Sequence, residues 1–439
     1  MIIGIRRENK NEWEKRTPLI PEDIKFLVDK YKLRAIIQPS KIRAFSDEEY
    51  VAAGAELDED LNHADLIFGV KEVPHHLILN HKTYVFFAHV IKGQPYNMPM
   101  LKSLMDKNCN LIDYERIVDE NNKRLIFFGR YAGKAGMIET LHALAEKLKI
   151  NGVRTPLEKI KQPYQYSSLN KAVTEIKKIG NELKEYSFSE NLLPIVFGFA
   201  GYGNVSQGAQ KIFDLLPIIT VQPQELLNNY EQLKSKRNNL IKVVFKEEHT
   251  VKPKTGKFDL KTYFLSPENY ISNFDQYIPF IDVLVNCILW TNKNPRLITK
   301  KYLTENPNIK LKVIGDISCD LFGGIEITHK VTDPSNPCYT YFPKADKYED
   351  GIKKEGISVM AIDNLPCEFP KEASAEFSHV LKNYVYEIYH TDFEKPFEEL
   401  DLSYPIKQAL IVHKGKLTKN YSYIQQYLSL EEKWKKYLF

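Results

Sequence analysis

Several residue patterns that mark specialised protein classes are missing from this chain. Its five cysteines, Cys109, Cys287, Cys319, Cys338 and Cys367, are odd in number and never in C-x-x-C spacing. That excludes a disulfide framework and a thiolate zinc site and leaves reduced thiols. No carboxylate joins His75, His76 and His81 at ligand spacing, so these read as solvent-exposed residues and no metal is expected. No window approaches the length of a membrane span. The opening Met1-Ile-Ile-Gly-Ile-Arg enters a strand-like run without the apolar core of a secretory signal. A cytoplasmic protein with no membrane partner is therefore expected. Charge of one sign is also lacking: 61 Lys and Arg face 57 Asp and Glu, with neither sign concentrated in one half. A nucleic-acid partner is accordingly not expected.

What is present is a globular composition, 43% hydrophobic and 27% charged, in 439 residues, enough for two or three domains. Short β-rich runs at 2–6, 35–38, 66–70, 83–88, 110–113 and 125–128 alternate with helical segments at 21–31, 46–53 and 97–107. Ser46 with Glu49 makes a capping box at one helix start. Alternation of this kind predicts an α/β fold with a parallel sheet. A long connecting helix is expected over 131–150, a polar excursion over 151–165 and a helix over 169–185. A second alternating unit then follows. Residues 246–279 lack periodicity and read as an inserted surface element. The last 70 residues read as mainly helical, with segments near 371–390, 404–413 and 421–437.

The second unit begins with Ile195-Val-Phe-Gly-Phe-Ala-Gly-Tyr-Gly-Asn-Val-Ser-Gln-Gly-Ala-Gln210, an apolar strand entering a glycine-rich turn that opens an amphipathic helix. Gly201 and Gly203 suit a pyrophosphate on a helix N-terminus. Ser206 stands where the third glycine of G-x-G-x-x-G would be, and the next glycine is Gly208. Taken alone, the motif fits a dinucleotide site or a structural turn equally well.

In the first domain two apolar runs lead to proton-handling residues: Phe68-Gly-Val-Lys71 and Val85-Phe-Phe-Ala-His89. Open α/β sheets bind ligands outside the carboxyl ends of their strands, so Lys71 and His89 are expected in one crevice. Partial desolvation would bring a lysine toward the range useful for base catalysis, and histidine needs little shift. The alternative for each is a solvated loop residue. Arg16 and Arg124 could each grip a carboxylate bidentately, or be surface arginines.

The stretches Trp13-Glu-Lys-Arg16-Thr-Pro-Leu19, Gly69-Val-Lys71-Glu-Val-Pro74, Phe87-Ala-His89-Val-Ile-Lys-Gly-Gln94 and Phe128-Gly-Arg-Tyr-Ala-Gly-Lys-Ala-Gly136 occur in an order that resembles the alanine dehydrogenase and transhydrogenase superfamily. Within it, Gly315-Asp-Ile-Ser-Cys-Asp320 and Ile362-Asp-Asn-Leu-Pro-Cys-Glu-Phe-Pro-Lys-Glu-Ala-Ser374 resemble the lysine-ketoglutarate reductase branch. The lysine-forming saccharopine dehydrogenases are shorter relatives of that branch. The resemblance implies reductive condensation of lysine with 2-oxoglutarate to saccharopine, with Lys71 and His89 as the acid–base pair. It implies substrate contacts at Arg16, Gln94, Arg124, Phe128, Asp316, Ile317 and Ser318. Cofactor contacts are implied at Gly201, Gly203, Asn204, Val205, Ser206, Ile288, Leu289, Asp363, Asn364 and Leu365. The second half of the bifunctional members is missing, so a separate saccharopine-oxidising enzyme is a candidate partner.

The expected architecture is two Rossmann-like doubly wound domains with a cleft between them. Residues 1–130 with the returning C-terminal helices of 364–439 form the catalytic domain, 131–193 the connection, and 194–363 the dinucleotide domain. The strand expected at 218–221 ends without an acid before Glu225. An acid there would repel the 2′-phosphate of NADP, so NADP is the expected cofactor, with NAD the alternative through Glu225. Rival readings are an alanine or opine-type dehydrogenase and a non-catalytic nucleotide sensor.

Overall fold

Residues 1–437 are described in the computed structural model of the chain, which divides into two compact units: Met1–Phe128 with the chain from Pro370 onward, and Gly129–Phe369. The first unit contains six parallel strands, and all but the short, exposed edge strand Glu56–Leu57 bury residues on both faces, as a sheet covered by helices requires. They are β1 (Ile2–Ile5), β2 (Arg34–Ile37), β3 (Glu56–Leu57), β4 (Leu66–Phe68), β5 (Thr83–Phe86) and β6 (Asn110–Asp113). Their spatial order is β6-β5-β4-β1-β2-β3. The chain therefore runs outward from β1 on one side and returns to β4 on the other, leaving a crevice at the carboxyl ends of these two strands.

Helices α1 (Pro21–Tyr31), α2 (Asp47–Ala52) and α3 (Met98–Asp106) connect the strands. Pro21 preorganises the first turn of α1, which ends at Lys32 in the left-handed region. Ser46 and Glu49 form the capping box of α2.

Three expectations fail in this unit. Residues 125–128 form no strand: Asp119 ties the preceding turn to the backbone N–H groups of Asn121 and Lys123, and only an isolated bridge joins Val118 to Arg124. The segment expected to be helical over 404–413 is a helix only at Tyr404–Ala409. The β-branched run that follows becomes the strand Leu410–His413, antiparallel to β6. The last helical stretch, 421–437, is broken into short turns.

The second unit opens with helix α4 (Gly129–Ile150), then α5 (Leu169–Lys184). Its sheet is built from β7 (Val196–Ala200), β8 (Ile218–Val221) and β9 (Leu240–Phe245), and, after the insertion, from β12 (Val283–Asn286), β13 (Val313–Asp316), β14 (Cys338–Phe342), β15 (Lys347–Asp350) and β16 (Ile357–Met360). The insertion carries β10 (Val251–Pro253) and β11 (Tyr270–Ser272), an antiparallel pair with its own small core of Val251, Tyr263 and Tyr270. Sheet order is β15-β14-β16-β13-β12-β7-β9-β8. Only β14 runs against the others, pairing antiparallel with both β15 and β16, and the order reverses between β7 and β12.

Helix α4 packs inside this second unit, against α6 (Asn204–Phe213). A Cβ on Gly133 would stand 1.9 Å from the Val205 carbonyl oxygen, and one on Gly208 would stand 2.2 Å from that of Arg130. Each helix thus needs a glycine where the other's backbone crosses. The close approach falls on Gly208, which explains why fully buried Ser206 is tolerated at the third-glycine position.

Candidate functional site

In the first unit, the loops leaving β1, β4 and β5 bring together a set of charged side chains. Glu14 and Arg16 form a buried pair, with Arg16 Nε donating to Glu14 Oε1 at 2.7 Å. Burial would raise the Glu14 carboxyl, but the Arg16 charge and hydrogen bonds overcome it and leave the carboxyl below the ordinary glutamate value. The Arg16 guanidinium lies 4.3 Å from the centre of the Phe128 ring, which stacks on Phe377. Glu8 anchors the loop after β4 by accepting from the N–H groups of Val70 at 2.7 Å and Lys71 at 3.0 Å. Among the described residues no hydrogen bond or ion pair is made by the Lys71 amine. Burial, then the Arg16 and Lys10 cations, hold that amine below the ordinary lysine value.

His89 lies next to this lysine loop through Glu72. His89 Nδ1 stands 2.6 Å from Glu72 Oε1. Burial pushes Glu72 up, but the hydrogen bond and charge of His89, with Lys10 and Lys71, bring its carboxyl down to about 2. An ionised carboxylate only accepts, so Nδ1 carries the proton and Nε2 is the atom that exchanges protons with a ligand. The ring stacks on Phe87 at 6.0 Å, and Asn97 Nδ2 donates to the carbonyls of Ala88 at 3.1 Å and His89 at 3.2 Å. Behind it, burial pushes Asp113 up to about 7.

Of the residues expected here, Arg16, Lys71, His89 and Phe128 join one cluster. Gln94 accepts locally from the Lys92 N–H at 3.2 Å, and Arg124 is exposed and pairs with Glu115. Glu8, Glu14, Glu72 and Asn97 escaped sequence reading. Glu14 and Glu72 sit beside Arg16 and Lys71 in the quoted stretches, and acids next to cations bound for a crevice were the available signal.

In the second unit the positions expected to touch the cofactor lie beyond the carboxyl ends of β7, β12 and β16, and Asp316, Ile317 and Ser318, expected to touch substrate, lie at and beyond the end of β13. Gly201 turns at φ +91, where a Cβ would stand 3.2 Å from the Cys287 carbonyl and 3.3 Å from Ile288 Cγ1. Helix α6 starts at Asn204 with Gly203 as its N-cap and no side-chain cap. The first-turn N–H groups of Asn204, Val205 and Ser206 therefore lack helical acceptors. Nothing lies within 4 Å of a Cβ built on Gly203. Open backbone at an uncapped helix start, at the point where the sheet order reverses, fits a dinucleotide pyrophosphate.

Gly136 of α4 meets Ile317 and Leu365, where a Cβ would stand 2.6 Å and 2.9 Å from their side chains. Asp316 is buried, and its carboxylate accepts from Asn286 Nδ2 at 2.8 Å, Thr328 Oγ1 at 2.5 Å and the Cys319 N–H at 3.1 Å. It braces the turn carrying Ile317 and Ser318. Leu289 is 82% exposed beyond β12. Asp363 is exposed and Asn364 buried.

The strand chosen for cofactor selectivity is corrected. β8 does not pair with β7; β9 lies between them, with Ala200 opposite Phe245. Gln222 and the exposed Glu225 belong to the start of helix α7 (Pro223–Asn228), one strand farther out. The neighbour of the glycine turn is the end of β9, where the Gly201 N–H donates to the Phe245 carbonyl at 2.9 Å and Lys246 follows. Among the described residues no His, Cys, Asp and Glu cluster is placed to hold a metal, and no helix is long and apolar enough to cross a membrane.

Residues 4–135 match the family model "Alanine dehydrogenase/PNT, N-terminal domain", and residues 228–420 match its C-terminal domain. The chain is 36% identical over 447 residues to the "Alpha-aminoadipic semialdehyde synthase, mitochondrial" of Rattus norvegicus, covering 97% of this chain and 48% of that protein. It thus spans about half the length of that relative. It is 26% identical to a Neurospora crassa "Saccharopine dehydrogenase", NAD(+), L-lysine-forming, covering 87% of this chain and 89% of that protein. The fold is that of an L-alanine dehydrogenase structure, with a TM-score of 0.61 at 17% identity over 98% of this chain and 100% of that one. With both domain models matched in one chain, this protein belongs to the alanine dehydrogenase/PNT family.

Proposed function

We propose that this chain catalyses the reductive condensation of L-lysine with 2-oxoglutarate to saccharopine, or the same reaction in reverse. The observation that carries the reading is the Lys71 amine, desolvated and without a partner among the described residues, beside a histidine whose Nδ1 is held by an ionised carboxylate. Condensation needs a base to take a proton from the substrate ammonium and an acid to protonate the departing hydroxyl. A lysine held below its ordinary pKa takes the first role. His89, with Glu72 supporting the positive charge of its ring, delivers a proton from Nε2 so that water leaves and the imine forms. Arg16, oriented by Glu14, is placed to pair with a substrate carboxylate.

The dinucleotide, when bound on the Gly201–Ser206 turn, supplies the hydride that reduces the imine carbon. We take NADPH as that carrier, and lysine, 2-oxoglutarate and saccharopine as the small-molecule partners. Five cysteines with no C-x-x-C spacing suit a reducing compartment such as the cytoplasm. An alanine or opine-type dehydrogenase shares the fold, but the names of the relatives favour the saccharopine reaction.

Lys71→Met tests the chemistry. Turnover with lysine and 2-oxoglutarate should fall by about a thousandfold or more, as for loss of a general base, while nucleotide affinity measured by fluorescence stays within about twofold. Near-native turnover would overturn the assignment of Lys71.

A further inference from the structure

We infer that Lys246, at the carboxyl end of β9, holds the 2′-phosphate of the dinucleotide and sets a preference for NADPH over NADH. The inference rests on the nucleotide-binding part of the reading above. In a doubly wound sheet the ribose nearest the glycine turn is read from the end of the strand hydrogen-bonded beside the turn's own strand. Here that strand is β9, reached only after β8 has been laid at the sheet edge. Register places the two ends together: Ala200 pairs with Phe245, and the next N–H, that of Gly201, donates to the Phe245 carbonyl. Lys246 is therefore the first residue beyond the strand, level with Gly201 of the glycine turn.

Its side chain is exposed, and its ammonium lies 5.9 Å from the centre of the Tyr202 ring. Among the described residues it has no ion-pair partner, although Glu247, Glu248 and His249 follow directly. Its own N–H donates to His249 Nδ1 at 3.0 Å, which closes the short helix Glu247–Thr250 and holds the lysine at the turn. Glu247 has the opposite sign and would favour a ribose diol. Its carboxylate, however, is turned to the protein: Oε2 is enclosed, the group acts on the Tyr202 phenol through charge and a hydrogen bond, and its charge also acts on the Tyr263 phenol. The exposed ammonium is the group that reaches a dianion at the edge of the turn, and the Tyr202 ring supports it there.

Binding to the full chain, measured without lysine or 2-oxoglutarate, separates this inference from the proposed reaction. By titration calorimetry the native protein should bind NADPH at least about tenfold more tightly than NADH, and 2′,5′-ADP more tightly than 5′-AMP. Lys246→Ala should lose about tenfold for NADPH and 2′,5′-ADP while NADH and 5′-AMP change by less than about twofold. Gln222→Glu, which puts an acid at the end of β8, should leave all four affinities within about twofold. Native preference for NADH, equal losses for both dinucleotides in Lys246→Ala, or selective loss of NADPH in Gln222→Glu would each overturn it. Failure to condense lysine with 2-oxoglutarate would sink the reaction and leave these affinities standing.

Discussion

His89 holds a backbone conformation that L-residues adopt rarely, φ +49, and its ring position depends on keeping it. Asn97 supplies the restraint. The residue is buried at the start of α3, and its amide spans two consecutive carbonyls, one of them that of His89 itself. Removing that amide frees the loop to relax toward an ordinary conformation and carries the ring away from Glu72. Asn97→Ala should lower kcat about tenfold to a hundredfold with KM values within about threefold, because the contact acts on proton transfer rather than on substrate binding. A KM that rises as much as kcat falls would make Asn97 merely structural. Lys71 and His89 were legible because each closes an apolar run. Asn97 was not, because its function depends on a hydrogen bond across the loop that residue types alone do not reveal.

Helix α4 shows how an element can be recognised and its role still be misread. Its apolar spacing marks the helix, and the observed Gly129–Ile150 starts two residues earlier than expected. Gly133 and Gly136 decide where it packs: they let it press on α6 and on Ile317 and Leu365 within the second unit. The same helix buries Glu139, whose Oε2 has no hydrogen-bond partner among the described residues, near Glu368, which lacks partners on both oxygens. Burial pushes both carboxyls up, Glu139 to about 8. An acid whose folded pKa lies above its unfolded value near 4.5 contributes stability in full below that value and loses it as pH rises toward 8. Glu139→Gln should accordingly raise the melting temperature at pH 8 relative to the native chain, by the equivalent of roughly 1–3 kcal/mol, and change it little near pH 4.5. An equal effect at both pH values would argue against a protonated Glu139. Strand order was similarly hidden: β8 and β9 both read as strands, but which one pairs with β7 is decided by pairing across the sheet. The rule of an acid about 20 residues past the glycines therefore pointed one strand too far.

At the scale of the whole molecule, two α/β units each reverse their strand order beside their first strand, and each gathers its chemistry at the carboxyl ends there. The first collects Glu8, Arg16, Lys71, Glu72 and His89; the second collects the glycine turn and the ends of β12, β13 and β16. Alternation of strands and helices made this architecture legible, since βαβ periodicity is written locally. The C-terminal strand at Leu410–His413 was not, because its partner β6 is distant in sequence, and the small core of the insertion was not, because Val251, Tyr263 and Tyr270 follow no helix or strand period. The central claim is that these parts condense an amine with a keto acid and reduce the product. Its most direct measurement follows NADPH absorbance with the purified chain in the presence of lysine and 2-oxoglutarate, singly and together, and then with pyruvate and ammonia. Oxidation that requires both lysine and 2-oxoglutarate and yields saccharopine is the predicted result; oxidation only with pyruvate and ammonia, or with neither pair, would contradict it.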